Sequence, residues 1–319
     1  MEGDIANLVT GGAGFLGSNL IDYLINKGEK VVCVDNYSSG NIRNIIRWES
    51  HPNFKIIDHD IIKPLIIDVK KIWHLACSAS PLIFNKNPIE TAKTNFLGTL
   101  NMLELARKVN AKILITSSSA IYGDPQIHPQ EESYNGSVNC FGDRSCYEEG
   151  KRIAETLCYD YQRIHGCNIR IARIFNTYGP RMNPLDGRVV SNFIVQSLMN
   201  KELTIYGDGL QTRSFCYIDD LINGLTALME SNYSKPINLG NTDEYRIIDL
   251  ANIIKNKINS NLKMTFQNLP HNDPLKRRPS IEKARNEILW EPKISLNIGL
   301  DKTIEYFKNI YPEFNKNKN

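Results

Sequence analysis

The chain has 319 residues, 41% of them hydrophobic and 23% charged, a composition that suits a globular fold of one large domain or two sharing a site. Its 38 basic residues nearly balance 35 acidic ones, leaving a net charge of +3 that excludes nucleic acid as the main partner. The seven cysteines are scattered, with no CxxC spacing or nearby histidine pair, which excludes a disulfide framework and a metal site; no apolar run approaches the roughly 20 residues that span a bilayer. Reduced thiols and a glycine-rich strand that begins almost at Met1, with no room for a signal peptide, predict a soluble cytoplasmic chain with no membrane partner.

The first element is a short apolar stretch (Ile5, Leu8, Val9) that runs into Gly11, Gly14 and Gly17 and then into an amphipathic helix over 18–26. The glycines let the backbone turn sharply and approach a ligand, and the helix N-terminus offers N–H groups and a positive dipole end to a pyrophosphate. The next strand, 30–34 (KVVCV), ends in Asp35. An acid about 20 positions after such a turn is placed to hold an adenosine ribose. The order strand, glycine turn, helix, strand and acid points to dinucleotide binding. Asp35 favours NAD over NADP, whose 2′-phosphate it would repel.

After the polar segment 36–44 a helix is expected through Trp48, then strands at 54–58, leading to Asp60 and Ile61, and at 71–76 (KIWHLA). Apolar residues at helical spacing predict a helix over 88–110. Strand 112–117 (KILITS) runs into serines, a long helix covers 147–164, and strand 168–173 (NIRIAR) follows. Repeated strand–helix units predict an α/β fold, a Rossmann-type doubly wound parallel sheet with helices on both faces. Ligands of such sheets sit at the carboxyl ends of the strands, so Asp35, Asp60, Ala76 and Ser117 should line one crevice.

Beyond Asn176 the regularity weakens. Gly179-Pro180, Asn183-Pro184 and Asp186-Gly187 punctuate a loop before a helix at 191–199. Short strands are expected at 204–206, 214–217 and 236–239, and helices at 219–230, 247–257 and 296–309. Lys276, Arg277, Arg278 and Pro279 fall in a predicted loop, and the polar tail 315–319 is expected to fray. This half reads as a smaller α/β C-terminal lobe over the crevice.

Three features suggest chemistry. Ser117, Ser118 and Ser119 end a buried strand, and Tyr147 and Lys151 lie four apart on one helix face. A serine run alone is a turn former, and a Tyr–Lys pair alone is structural. Beside a dinucleotide they describe a carbinol–ketone oxidoreductase. A lysine ammonium, with an oxidised nicotinamide near, lowers the phenol pKa toward the working pH. The tyrosinate then takes a hydroxyl proton while hydride leaves the same carbon, and a serine hydroxyl orients the reacting group.

TGGAGFLG (10–17), the serine triplet and Tyr147-x-x-x-Lys151 together resemble the extended short-chain dehydrogenase/reductase superfamily. HDIIKPL (59–65), KTNFLGTLNML (93–103), YGDP (122–125), CYEEGKRIAET (146–156), ARIFNTYGPRM (172–182), DGRVVSNFI (186–194), YGDGLQTRSF (206–215) and DPLKRRP (273–279) extend the likeness over nearly the whole chain to its UDP-glucuronate decarboxylase (UDP-xylose synthase) family. The resemblance implies a lyase that binds NAD and returns it unchanged. Tyr147 would take the 4-hydroxyl proton of UDP-glucuronate, Lys151 would hold the nicotinamide ribose, and the resulting β-keto acid would lose carbon dioxide while Ser118 and Tyr147 stabilise the enolate. It implies cofactor contacts from Gly11, Gly14, Phe15, Leu16, Gly17, Asp35, Asn36, Ser38, Ser39, Asp60, Ile61, Leu75, Cys77, Thr94 and Thr116, besides Tyr147 and Lys151. Asn176, Arg188, Tyr206, Gln211, Arg213 and Arg277 would hold the UDP-sugar, with Arg277 near its carboxylate. Residues 1–178 and 214–242 would then form the NAD-binding domain, and 179–213 and 243–319 the UDP-sugar-binding lobe. Helices 90–109 and 147–164 would pair with their copies in a homodimer.

The chain departs from the family where Ser-Thr-Ser-Glu is usual: it has Ser117-Ser118-Ser119-Ala120, which keeps the hydroxyl at 118 and loses a carboxylate that takes part in decarboxylation and protonation. Ser119 or a water would take over its proton transfer. A second departure is Phe84, where the family usually has tyrosine. Two other readings stand beside the main one. Serine–alanine before Tyr-Gly is familiar in 4-epimerases of UDP-glucuronate or related UDP-hexoses, and loss of the glutamate fits an impaired NAD- and UDP-sugar-binding protein. Retention of Tyr147, Lys151 and Ser118 argues against a pure binder.

Overall fold

The computed structural model describes residues 7–185, 187–269 and 276–316. Seven strands form one parallel sheet: β1 (Asn7–Thr10), β2 (Val31–Asp35), β3 (Phe54–Asp58), β4 (Lys71–His74), β5 (Lys112–Ser118), β6 (Ile169–Ile174) and, further along the chain, Pro236–Leu239. Their spatial order is β3-β2-β1-β4-β5-β6, closed by 236–239 at the far edge. The order reverses between β1 and β4, the switch point at which such sheets open a crevice.

Alternation along the strands explains why both faces are covered. Val9, Cys33, Trp73 and Leu114 enter one buried cluster, whereas Leu8, Val32, Ile72 and Ile113 enter another. Helices α1 (Phe15–Asn26) and 218–230 feed the first cluster through Leu20, Ile21, Leu221 and Leu225. The helices at 99–109 and 145–165 feed the second through Met102, Leu103 and Cys158. A strand buried on both faces needs this near-continuous apolar run, and helices on both sides supply the cover.

Among the described residues the remaining strands form three small sheets. The one that matters for the site has Thr212–Ser214 in the middle, antiparallel to Glu244–Arg246 and parallel to Lys276–Arg277. Several expectations shift here. The strand expected over 214–217 is two strands, because the chain leaves this sheet at Ser214 and pairs Cys216–Tyr217 with Thr177–Tyr178. Lys276 and Arg277, expected in a loop, form an edge strand. The helix expected through Trp48 is a pair of 3₁₀ turns, Ile42–Asn44 and Ile46–Trp48, held by side chains: Asn44 Nδ2 donates to the Ala13 carbonyl at 2.8 Å and Trp48 Nε1 to Asp22 at 2.7 Å. Strand 71–76 ends at His74, and a short helix at Pro81–Lys86 had no expected counterpart. The closing helix continues to Lys316, so the first two residues of the expected frayed tail are helical. Ile5, Asp186, residues 273–275 and the end of the tail at 317–319 lie outside the described residues.

Candidate active site

β1 turns at Gly11, whose φ is +68° and whose missing Cβ would lie 2.8 Å from Ala76 Cα. A Cβ at Gly17 would run into the Gly11 carbonyl. Any larger residue at either position would push the first turn of α1 away from the sheet. Gly14 starts α1 without a side-chain cap, the first turn carries no acid, and Phe15, Leu16 and Gly17 line the cavity there. This is the polarity that receives a phosphate. At the end of β2 the Asp35 carboxylate accepts N–H bonds from Ala13 at 2.9 Å and Tyr37 at 2.8 Å. Burial raises the pKa of Asp35 more than these N–H bonds lower it. A ribose hydroxyl would add a further donor to this carboxylate. Glycine cradle, uncapped helix start and fixed acid together fit a dinucleotide.

β5 carries the serines to the same crevice. Ser117 lines it and donates to Glu155. Ser118 accepts the Ala120 N–H at 3.1 Å and hydrogen-bonds the Tyr147 phenol. Helix 145–165 brings Tyr147 and Lys151 over the strand end, where Lys151 Nζ donates to the Thr116 carbonyl at 2.8 Å and lies 5.9 Å from the Tyr147 ring centroid. The phenol differs from expectation in one respect. Lys151, Ser118 and Arg144 all lower its pKa, yet burial outweighs them and the net direction is upward. The chain's own groups therefore keep Tyr147 protonated, and the expected tyrosinate needs a further positive charge in the cavity.

Two groups pack around Tyr147: Phe84, noted in the sequence only as a departure from the family, and Arg144, which had no place in the sequence reading. Phe84 stacks on the phenol with ring centroids 5.2 Å apart and planes 7° from parallel. The Arg144 guanidinium sits 5.7 Å from the Phe84 centroid and donates to Glu148 at 2.8 Å. Arg144 lies three residues before Tyr147 and four before Glu148, a spacing that could have flagged it. Ala120 packs with Phe84 and Tyr147 in one small buried cluster, edged by Cys77 and Cys146. Beneath the glycine turn His74 bonds Thr10 at 2.9 Å, and burial pushes its pKa down to about 3, so it is neutral.

The C-terminal half also lines the cavity. Arg213 and Arg277 are register partners on neighbouring parallel strands, each less than a tenth exposed, and both face the cavity. Two buried guanidinium groups side by side favour an anion between or across them. Arg188 precedes helix Val189–Leu198, which has no side-chain cap, and lies 5.6 Å from the Phe15 ring centroid. Gln211 donates to the Tyr206 carbonyl at 2.7 Å.

Every residue put forward for catalysis, cofactor or substrate lines one cavity of about 1150 Å³, Asn36, Ser38, Ser39, Asp60, Ile61, Leu75, Thr94, Ser119 and Asn176 among them. The four strand-end residues Asp35, Asp60, Ala76 and Ser117 share it. This volume exceeds that of a typical single-ligand pocket.

The family model of GDP-mannose 4,6 dehydratase matches residues 8–303. UDP-glucuronic acid decarboxylase 1 of Xenopus tropicalis is 52% identical over 301 residues, covering 94% of this chain and 72% of the relative. UDP-glucuronic acid decarboxylase 3 of Arabidopsis thaliana is 53% identical over 302 residues, covering 94% and 88%. Among solved structures, a UDP-glucuronic acid 4-epimerase from Bacillus cereus in complex with UDP-glucuronic acid and NAD superposes with a TM-score of 0.88 at 29% identity, covering 96% of this chain and all of that one. A UDP-glucose 4-epimerase from Thermotoga maritima with UDP-glucose gives 0.89 at 30%, with the same coverage. The backbone is thus common to epimerases and decarboxylases, and sequence separates them. With more than half its residues identical across nearly its whole length, the chain belongs to the UDP-glucuronic acid decarboxylase family of the extended short-chain dehydrogenase/reductases.

Proposed function

We propose that the chain converts UDP-glucuronate to UDP-xylose through a 4-keto sugar, using NAD that is regenerated in each cycle. The observation that carries this is the shared cavity: the Tyr147–Ser118–Lys151 centre and the paired Arg213 and Arg277 line the same space. When bound, NAD supplies the hydride acceptor and donor at carbon 4. Gly11, Gly14, Gly17 and Asp35 hold its pyrophosphate and ribose, and Lys151 the nicotinamide ribose. Tyr147 takes the 4-hydroxyl proton, and Ser118 orients that oxygen. In the 4-keto acid the bond to the carboxyl carbon breaks, its electron pair moves toward the ketone, and carbon dioxide leaves. Tyr147 and Ser118 donate to the resulting enolate oxygen. With alanine at 120, the proton for carbon 5 comes from water or Ser119, which lines the cavity. Asn176, Arg188, Arg213 and Arg277 hold the UDP-sugar through its diphosphate, with Arg277 also near the carboxylate. On this reading 1–178 and 214–242 hold NAD, and 179–213 and 243–319 the UDP-sugar.

A cytoplasmic setting is supported by seven free thiols, and no described helix is long and apolar enough to cross a membrane. Proton NMR of the protein with NAD⁺ and UDP-glucuronate tests the activity. UDP-xylose without net NADH is expected. UDP-galacturonate, its carboxylate retained, would make the chain an epimerase and overturn the proposal.

A further inference from the structure

The segment His128-Pro129-Gln130 lies in the loop between the serine turn and the Tyr147 helix and has no part in the chemistry above, yet it bonds Arg278, the residue that follows the Arg277 strand, and Glu244, on the strand that pairs with the Arg213 strand. Gln130 is fully buried, and each of its polar groups is used. Its N–H donates to the Arg278 carbonyl at 2.8 Å, and its Oε1 accepts the Arg278 N–H at 2.9 Å. Its carbonyl accepts the Ser280 N–H at 2.7 Å and Asn238 Nδ2 at 3.1 Å, and its Nε2 donates to the Ile127 carbonyl at 2.8 Å. Gln130 thus holds the backbone of the residue next to Arg277 from both of its polar sides, the N–H through its side chain and the carbonyl through its own backbone N–H. Two positions away, His128 Nε2 lies 3.0 Å from Glu244 Oε2, and the other Glu244 oxygen accepts the hydroxyl of Thr212, the residue before Arg213.

We propose that Gln130 is a positioning residue for Arg277, and that His128 through Glu244 does the same for Arg213, so that this segment braces the anion-binding pair. The proposal rests on the reading of these arginines as UDP-sugar ligands. Among the described residues the strand carrying Arg277 has two residues and pairs on one side only, so two ladder positions define its register against Thr212–Ser214. Gln130 supplies the second side. It also ties the arginines to the sheet that carries the chemistry, because Asn238 lies on the 236–239 strand and its Oδ1 accepts the Tyr122 hydroxyl at 2.8 Å. Tyr122 ends the turn that begins at Ser119. A misplacement near 1 Å at either arginine is enough to lose a bidentate contact.

Gln130→Met keeps the volume and removes the side chain's hydrogen bonds to Arg278, Ile127 and His128. Titration calorimetry with UDP as the probe should show affinity falling about tenfold, while NAD affinity stays within twofold. In steady state KM for UDP-glucuronate rises by a similar factor with little change in kcat. A purely structural role would weaken NAD and UDP together, and equal losses overturn the proposal. Gln130→Glu keeps the acceptor for the Arg278 N–H and should recover most of the UDP affinity. Arg277→Ala and Arg213→Ala separate the two layers of the argument. If neither changes UDP affinity, the ligand assignment fails; if they weaken it and Gln130→Met does not, only the brace fails. Should Gln130→Met not accumulate folded, Glu244→Gln at the partly exposed end carries the test. A threefold or greater loss of UDP affinity at constant NAD affinity is expected, and unchanged UDP affinity overturns the brace.

Discussion

Tyr147 stands between opposing influences. Burial raises the phenol pKa, and Lys151, Ser118 and Arg144 lower it without prevailing. Phe84 covers one ring face with hydrocarbon, and Ala120 adds no charge where a carboxylate would sit. A carboxylate at 120 would have raised the phenol pKa further, so the alanine that removes a proton donor also removes an obstacle to forming tyrosinate. The sign of the pH dependence follows. Below its pKa the base form of Tyr147 grows tenfold per pH unit, so the rate of 4-hydroxyl oxidation should climb with pH from neutrality upward. Lys151→Met withdraws the largest lowering influence, raises the phenol pKa and moves that climb to higher pH. Tyr147→Phe should lower kcat by about a thousandfold, within the range general base catalysis contributes. Transient absorbance of reduced cofactor, recorded from pH 6 to 10 for the three proteins, checks this. A Lys151→Met profile displaced to lower pH, or a phenylalanine variant within tenfold of the parent, would contradict it.

At the scale of the element, helix 145–165 does more than present two residues. Tyr147, Lys151 and Glu155 recur at four-residue steps along it, and Glu155 takes both Ser117 and Arg173, the latter at 3.0 and 2.8 Å. Arg173 in turn donates to Tyr122 at 3.0 Å and the Glu132 carbonyl at 2.9 Å. Removing one member of a buried ion pair strands the other, at about 3–5 kcal/mol. Glu155→Ala should therefore lose on the order of 3 kcal/mol in denaturant unfolding, and a loss under 1 kcal/mol would show that Arg173 finds water instead. Neither partner was legible as a pair in the sequence, because helix and strand spacing place them without naming who meets whom. Elements with their own period or glycine signal were legible: the central strands, the glycine turn, the Tyr–Lys face. The segments that were misread, the 3₁₀ turns near Trp48, the break at Phe215 and the edge strand at Lys276, owe their form to partners distant in sequence. The site residues were nameable because motif resemblance carries tertiary information that periodicity lacks. Arg144 and Gln130 belonged to neither source.

For the whole molecule, one helix joins the chemistry to the outer surface. Its inner face buries Tyr147, Lys151, Ala154 and Cys158, while Ile153 and Tyr159 remain 38% and 63% exposed. Phe96, on the neighbouring helical segment, is 41% exposed. Large apolar side chains on two adjacent helices suit a partner of like chemistry, and a second copy offers the same faces related by a twofold axis. We propose that these helices pair in a homodimer. Pairing would hold helix 145–165 from outside as the Glu155 network holds it from within, so the geometry of Tyr147 would depend on the partner. Sedimentation velocity at micromolar concentration should give twice the chain mass for the parent and the single-chain mass for Ile153→Glu. Because that substitution is on the solvent side of the helix, its fold should survive. Its kcat should fall severalfold as the helix loses outer support, and recover partly at high protein concentration. A parent that sediments as a single chain excludes the dimer; a monomeric Ile153→Glu with full kcat leaves the dimer intact as an assembly and removes its link to catalysis.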